Sequence, residues 1–220
     1  MVGNVIPVQI LTLRLIPNLS PGLARALGLP DQYRAVGLIS TDSDDVTYMA
    51  LDEATKTANV DVVYARSLYA GASNASTALA GEVIGVLAGP TPAEVASALR
   101  GAENFINSGV GFRTANGAGD VVYLAHCVSR TGSYLSAMAE SPQGQALAYL
   151  VAPPVETIEG LDAALKASDV ELRQFFAPPT ETNFSGGLLT GTQSACQAAC
   201  DAFAQAVMAV AAKPKDLGGM

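Results

Sequence analysis

The chain has 220 residues, half of them hydrophobic and 15% charged, enough to bury a substantial core and too apolar for a disordered segment. Twelve basic residues against 20 acidic ones leave a net charge of -8, which repels phosphate backbones and anionic membranes and argues against nucleic acid or a membrane as partner. The N-terminal "MVGNVIPVQILTLRLIPNLS" lacks the layout of a signal peptide, and apolar runs such as "GEVIGVLAG" fall short of the ~18 residues a bilayer requires, so a soluble cytoplasmic protein is expected.

Taken in chain order, the apolar pattern predicts a strand over 8–16, a short helix near 20–28 and a strand over 35–40. A helix follows from about 44 to 58, where Val46, Ala50, Ala54 and Ala58 recur at intervals of four and form a stripe for packing on a sheet. A strand at 59–66, a glycine-rich loop, a strand at 82–88 and a helix at 91–106 complete this half, with Pro92 suited to a first helical turn. "NSGVGFRTANGAGD", residues 107–120, reads as a junction.

Beyond the junction the order repeats. Shifted by 110 residues, "LDEATKTANVDV" from Leu51 falls without a gap on "LDAALKASDVEL" from Leu161. A shift of 102 aligns "LAGPTPAEVASAL" from Leu87 with "LTGTQSACQAACD" from Leu189, and a weaker match at 113 pairs "VQILTLRLIPNLS" with "VVYLAHCVSRTGS". The change in shift places a longer loop in the first copy, at "ARSLYAGASNASTALAG". Two similar α/β (α+β) domains are therefore expected, over 1–108 and 109–220.

Three cysteines, Cys127, Cys196 and Cys200, make an odd count that points to reduced thiols. Cys196 and Cys200 stand four apart on a helix, a spacing open to metal binding, but packed thiols are the expectation and no metal or cofactor site is assigned. His126, the single histidine, lies in the strand-like "VVYLAHCVS" and is expected to be a packed strand residue.

Residues 36–48, "VGLISTDSDDVTY", carry Asp42 and Asp44 as D-x-D-x-V at the end of a strand, the opening of a haloacid-dehalogenase-type nucleophile loop. A phosphohydrolase using Asp42 and Asp44 would also need a lysine for the phosphoryl oxygens and a further acidic pair for Mg²⁺. No later pair of that kind occurs, and Lys56 has a repeat twin, Lys166, which ties it to the fold. At the shift of 110, Asp42, Asp44 and Asp45 fall on Ala152, Pro154 and Val155, so a helix start is common to both halves but the carboxylates are not. Capping accounts for one aspartate. Clustered carboxylates beyond that repel one another and point to a ligand. The glycine-rich "GASNASTALAGEVIGVLAGP" contains neither phosphate-binding fingerprint.

The segments "VGLISTDSDDVTYMALDEATK", "VDVVYARSLYAGA", "SRTGSYLS", "YLVAPP", "PPTETNF" and "LTGTQSACQAACDAF" together resemble the tandem-domain bacterial microcompartment shell proteins of ethanolamine utilisation, over residues 8–212. The resemblance implies two circularly permuted microcompartment-type domains, each a small, mostly antiparallel sheet with packed helices, in a structural protein without enzymatic activity. It implies a homotrimeric tile of hexagonal outline in the compartment shell, with other shell proteins as partners. It also implies a small acidic pore that takes up protonated ethanolamine, lined by Asp44, Asp45, Glu82 and Phe112. Carboxylates suit an ammonium group, and an aromatic face beside a cation adds about 0.5–2 kcal/mol. A gated central channel is implied in loops 66–77 and 176–187, at Tyr69, Gly71, Asn74, Thr180, Glu181, Thr182, Asn183 and Phe184, where Gly and Ser permit backbone change. "AMAESPQGQ" and the tail "AKPKDLGGM" depart from the family pattern. A soluble ligand-sensing tandem module is the alternative.

Overall fold

The computed structural model describes residues 1–68 and 81–216, so Tyr69, Gly71 and Asn74 lie outside the described residues. The first half runs β1 (Ile10–Ile16), α1 (Pro21–Ala26), β2 (Ala35–Thr41), α2 (Asp44–Thr57), β3 (Asp61–Ser67), β4 (Val83–Gly89) and α3 (Pro92–Asn107). After a short β5 (Arg113–Thr114), the second half follows as β6 (Val122–Val128), α4 (Ser133–Met138), β7 (Ala146–Ala152), α5 (Pro154–Ala167), β8 (Val170–Phe176), β9 (Ser185–Gly191) and α6 (Gln193–Ala212). Each element expected in the first half is found within about two residues of its expected ends. The addition is β5, inside the expected junction.

Both sheets are antiparallel, ordered β1-β2-β4-β3 and β5-β6-β7-β9-β8, so the second repeats the first with one strand added at the edge. The duplication extends to irregularities. β3 slips register between Val62 and Tyr64, and β8 slips at the twin positions, between Leu172 and Gln174. Two alignments are corrected by the pairing: Thr12 faces Ser40 as Leu124 faces Val151, so the first strands of the two halves match at a shift of 112 rather than 113. Thr41 faces Val83 and Ala152 faces Ser185, which makes Thr41 the twin of Ala152. Asp42 is then an extra residue without a twin: Asp42 and Ser43 join β2 to α2, whereas Pro153 alone joins β7 to α5.

Two compact units form, and neither follows a single cut in the chain. The N-terminal unit is Val8–Val110 with Gly132–Ala137, and the C-terminal unit is Met1–Pro7, Gly111–Thr131 and Met138–Met220. Both exchanged segments have a visible cause. Residues 1–7 pair with the β5 edge, through Gly3 N to Thr114 O at 2.8 Å and Ile6 N to Phe112 O at 2.8 Å. The segment holding α4 is fixed by the Asp52 carboxylate of α2, which accepts from Gly132 N at 2.7 Å and from Leu135 N at 2.8 Å.

In the N-terminal unit, alternation along the strands gives the sheet two apolar faces. Val36, Val86 and Ala88 pack with Leu19, Ala24, Leu29 and Tyr33 around α1. On the other face α2 and α3 lie directly on the backbone: a Cβ at Gly37 would meet Leu99 and Val95 at 2.9 Å, and one at Gly85 would meet Leu51 at 2.8 Å. In the C-terminal unit, α5 and α6 bring Leu161, Ala164, Cys196, Ala199, Cys200, Phe203 and Val207 onto Ala148, Leu150 and Leu189 of the sheet. At 20 residues α6 has the length and apolar composition of a bilayer span, yet this face of it is core, and the Gln197–Asp201 side-chain pair lies on its exposed side. The cysteines are free thiols, and burial pushes the Cys200 thiol up, with Cys127 and Cys196 adding to the effect. His126 pairs with Tyr149 within the sheet, half-buried.

Candidate functional site

The site is built where β2 turns into α2. Thr41 Oγ1, fully buried at the strand end, accepts from Ser43 N at 3.0 Å and is 2.7 Å from Thr47 Oγ1, so the turn is held by threonine hydroxyls and Ser43 makes no side-chain cap. Asp44 and Asp45 then occupy the first helical turn, where unpaired N–H groups favour negative charge. Asp44 is buried. Its Oδ1 accepts from Asp45 N at 2.8 Å and its Oδ2 from Ser67 Oγ at 2.7 Å, and Ser67 Oγ lies 2.5 Å from the Tyr48 hydroxyl. Asp42 is fastened to the residue preceding β1: its Oδ1 accepts from Gln9 N at 2.8 Å, and its own N–H donates to Gln9 O at 3.2 Å.

Glu82 precedes β4 and is tied to both neighbouring strands. Its N–H donates to Thr41 O at 2.8 Å, and its carbonyl accepts from Leu68 N at 2.5 Å. The Glu82 carboxyl is pushed up to about 7, first by burial and then by the charges of Asp44 and Asp42. Three carboxyl groups thus share one small region, and near neutral pH the third is poised between its charged and neutral forms. A cation entering the cluster would relieve the repulsion and draw Glu82 into its carboxylate form. Ser43 Oγ, on the same turn, is buried without a hydrogen-bond partner. Among the described residues no group of three or more His, Cys, Asp and Glu side chains is arranged to hold a metal ion.

Of the site residues expected from sequence, Asp44 and Glu82 come together. Asp45 is half-buried on the neighbouring stripe of α2, in line with Tyr48, Asp52 and Thr55. Phe112 belongs to the C-terminal unit, where its ring packs on Phe184 at 5.5 Å between centroids. In the loop after β8, Thr180 Oγ1 donates to Phe184 O at 2.7 Å and Asn183 N donates to Thr180 O at 3.2 Å, with Asn183 in the left-handed region at φ 62°. Glu181 on this turn is exposed and Thr182 half-buried. The structure adds Asp42, Ser67 and Tyr48 to the site. Ser67 ends a strand paired with β4 and faces Val83, next to Glu82, a pairing that the sequence does not spell out.

The second half repeats this scaffold without its polar groups. Asp44, Asp45, Tyr48, Ser67 and Glu82 correspond to Pro154, Val155, Ile158, Ala177 and Phe184, and Asp42 has no counterpart. The geometry also disposes of Asp42 and Asp44 as a phosphatase pair. Both carboxylates are engaged by local donors, and Lys56 is held along its own helix by Asp52, at 3.6 Å, and by Glu53.

Residues 35–114, from β2 through β5, match a family model described as the BMC domain. The chain is 63% identical over 214 residues to the bacterial microcompartment shell protein EutL of Clostridium perfringens, covering 97% of this chain and 99% of that one. It is 52% identical over 206 residues to the shell protein EutL of Escherichia coli, covering 94% of each. The crystal structure of EutL from Clostridium perfringens superposes with a TM-score of 0.96 at 62% identity, covering 99% of both chains. That of the ethanolamine utilization protein EutL from Leptotrichia buccalis superposes with a TM-score of 0.95 at 57% identity, covering 98% of this chain and all of that one. These relatives are structural proteins of a compartment shell, which sets aside the phosphohydrolase and the free-standing sensor. The chain belongs to the EutL family of bacterial microcompartment shell proteins, as a non-enzymatic component of the ethanolamine-utilisation compartment.

Proposed function

We propose that the chain forms a homotrimeric shell tile in which each subunit carries a small acidic pore for protonated ethanolamine. The observation that carries the pore is its asymmetry. Two copies of one scaffold share strand order, register slips and helix positions, yet Asp42, Asp44 and Glu82 occur in one copy and the other is apolar at the same places. Stability alone gives no reason to gather three carboxyl groups in one copy, since burial and mutual repulsion raise the Glu82 carboxyl. An ammonium group supplies the missing positive charge, and an amino alcohol brings a hydroxyl that can pair with Ser43 Oγ or a carboxylate. Asp45, on the neighbouring stripe of α2, completes the proposed lining, while Phe112 packs on Phe184 in the C-terminal unit.

The central channel is proposed at the loops after β3 and β8, with Thr180–Phe184 as the described part of its rim. Titration calorimetry with ethanolamine tests the pore, and sedimentation velocity tests the trimer. Glu82→Gln should weaken binding at least about tenfold while leaving sedimentation unchanged. Equal affinity in the variant would remove the site assignment.

A further inference from the structure

The second copy of the scaffold separates hydroxyls that serve the fold from hydroxyls that do not. Thr47 and its twin Thr157 are fully buried, and each donates to the turn that starts its helix, to Ser43 O and to Ala152 O, both at 2.8 Å. Thr91 and Thr192 likewise cap α3 and α6, accepting from Glu94 N and Ala195 N. Tyr48 and Ser67 have no such twins: their positions hold Ile158 and Ala177, and the second sheet and helix form without either hydroxyl. Both are lost together with Asp44, whose place is taken by Pro154.

The direction of the bonds follows from the hydroxyl protons. Ser67 has a single one, and it goes to Asp44 Oδ2 at 2.7 Å. The 2.5 Å contact between Tyr48 and Ser67 is therefore a bond that Tyr48 donates. The result is a one-way chain, Tyr48 O–H to Ser67 Oγ and Ser67 O–H to Asp44, ending on a carboxyl group whose other oxygen accepts from Asp45 N at 2.8 Å. Acceptance at both oxygens is the pattern of an ionised carboxylate, and donors in series strengthen one another. The same strand end also reaches the second carboxyl residue, since Leu68 N donates to Glu82 O.

Resting on the acidic pore proposed above, we propose that Ser67 and Tyr48 are positioning residues of that pore, whose donor chain holds the Asp44 carboxylate in place and in its charged form against its acidic neighbours. Hydrogen bonds to a charged form favour it, so an incoming ammonium meets a charge already fixed, and the first proton of the cluster goes to Glu82, at about 7. The other ionisable groups around the chain are Asp42 at the turn from β2 to α2, Asp45 on α2 and, at the Tyr48 end, Tyr134, which interacts with Arg66 of β3 and Asp52 of α2. Removing the chain raises the pH at which the cluster takes its first proton, by either of two routes. The Asp44 charge, no longer shared with a hydroxyl, bears harder on Glu82, or Asp44 itself becomes a competing acceptor. For coupled groups both routes move the upper midpoint upward.

The test is a pH titration of Ser67→Ala and Tyr48→Phe, with Ser67→Thr as the variant that keeps the hydroxyl. In the ligand-free protein, infrared spectroscopy follows the carboxyl band that is absent from Glu82→Gln, and calorimetry follows ethanolamine affinity over the same range. Ser67→Ala should move both midpoints up by at least about half a pH unit. Tyr48→Phe should move them the same way by less, and Ser67→Thr should return them to the wild-type position. Midpoints that stay in place in Ser67→Ala and Tyr48→Phe, with or without a loss of thermal stability, mark a structural role and overturn the proposal, as does a downward shift. A wild type that fails to bind ethanolamine while the infrared midpoint still moves overturns the pore and leaves the donor chain standing.

Discussion

Lowering the pH from 8 to 6 should weaken the binding of an ammonium ligand about tenfold, through Glu82. With its carboxyl at about 7, Glu82 is mostly ionised at the upper pH and mostly neutral at the lower. The ionised fraction, on which attraction for a cation depends, falls by a factor of about ten, or about 1.4 kcal/mol. Calorimetric titration with ethanolamine at several pH values, repeated in buffers of different ionisation enthalpy, should also detect proton release on binding, because the ammonium favours the Glu82 carboxylate. Glu82→Gln should bind more weakly at every pH and lose the slope. The ligand-free protein should show the opposite trend in stability. A carboxyl raised in the folded state from its usual 4.5 to about 7 contributes stability that is present below 4.5 and is lost as pH rises through 7. For this half-exposed group, solvent screening reduces the full shift of about 3 kcal/mol to about 1–2 kcal/mol. Affinity that is flat between pH 6 and 8, or a slope that survives in Glu82→Gln, would refute the reasoning.

Three further outcomes test the scaffold. Asp52→Ala removes the buried carboxylate that receives Gly132 N and Leu135 N, and should cost about 2–4 kcal/mol in chemical denaturation, with segment 132–137 losing hydrogen-exchange protection first. Gly160→Ala should destabilise by about 1–3 kcal/mol despite the better helix propensity of alanine, because the new Cβ would stand 2.6 Å from the Phe203 ring, which is locked in the core. Thr91→Ala and Thr192→Ala each remove an N-cap bond, to Glu94 N and Ala195 N, and should each cost about 1 kcal/mol by thermal melting.

Much of the fold is legible in the sequence because the duplication states every element twice. Leu51–Val62 and Leu161–Leu172 align without a gap, and their helix, turn and strand superpose down to the register slip. The exchanged segments are not legible in that way. Periodicity shows that α4 is a helix with one buried face, but nothing local says that Leu135 is buried against a helix some 80 residues earlier, as the Asp52 bonds show. The acidic cluster was half legible. The repeat drew attention to Asp44 and Glu82 by the loss of charge at Pro154 and Phe184, whereas an ungapped shift gave Asp42 a false twin and hid that it is an insertion. Ser67 and Tyr48 join through hydroxyl contacts that depend on strand pairing, and sequence spacing carries no trace of those.

The most direct measurement is a crystal structure of the protein soaked with ethanolamine at pH 8. The account expects trimers, with one ligand per subunit whose nitrogen lies about 3 Å from Glu82 and from Asp42 or Asp44, and nothing at the twin position around Phe184. Empty density at the carboxyl cluster, or ligand bound equally in both halves, would contradict it.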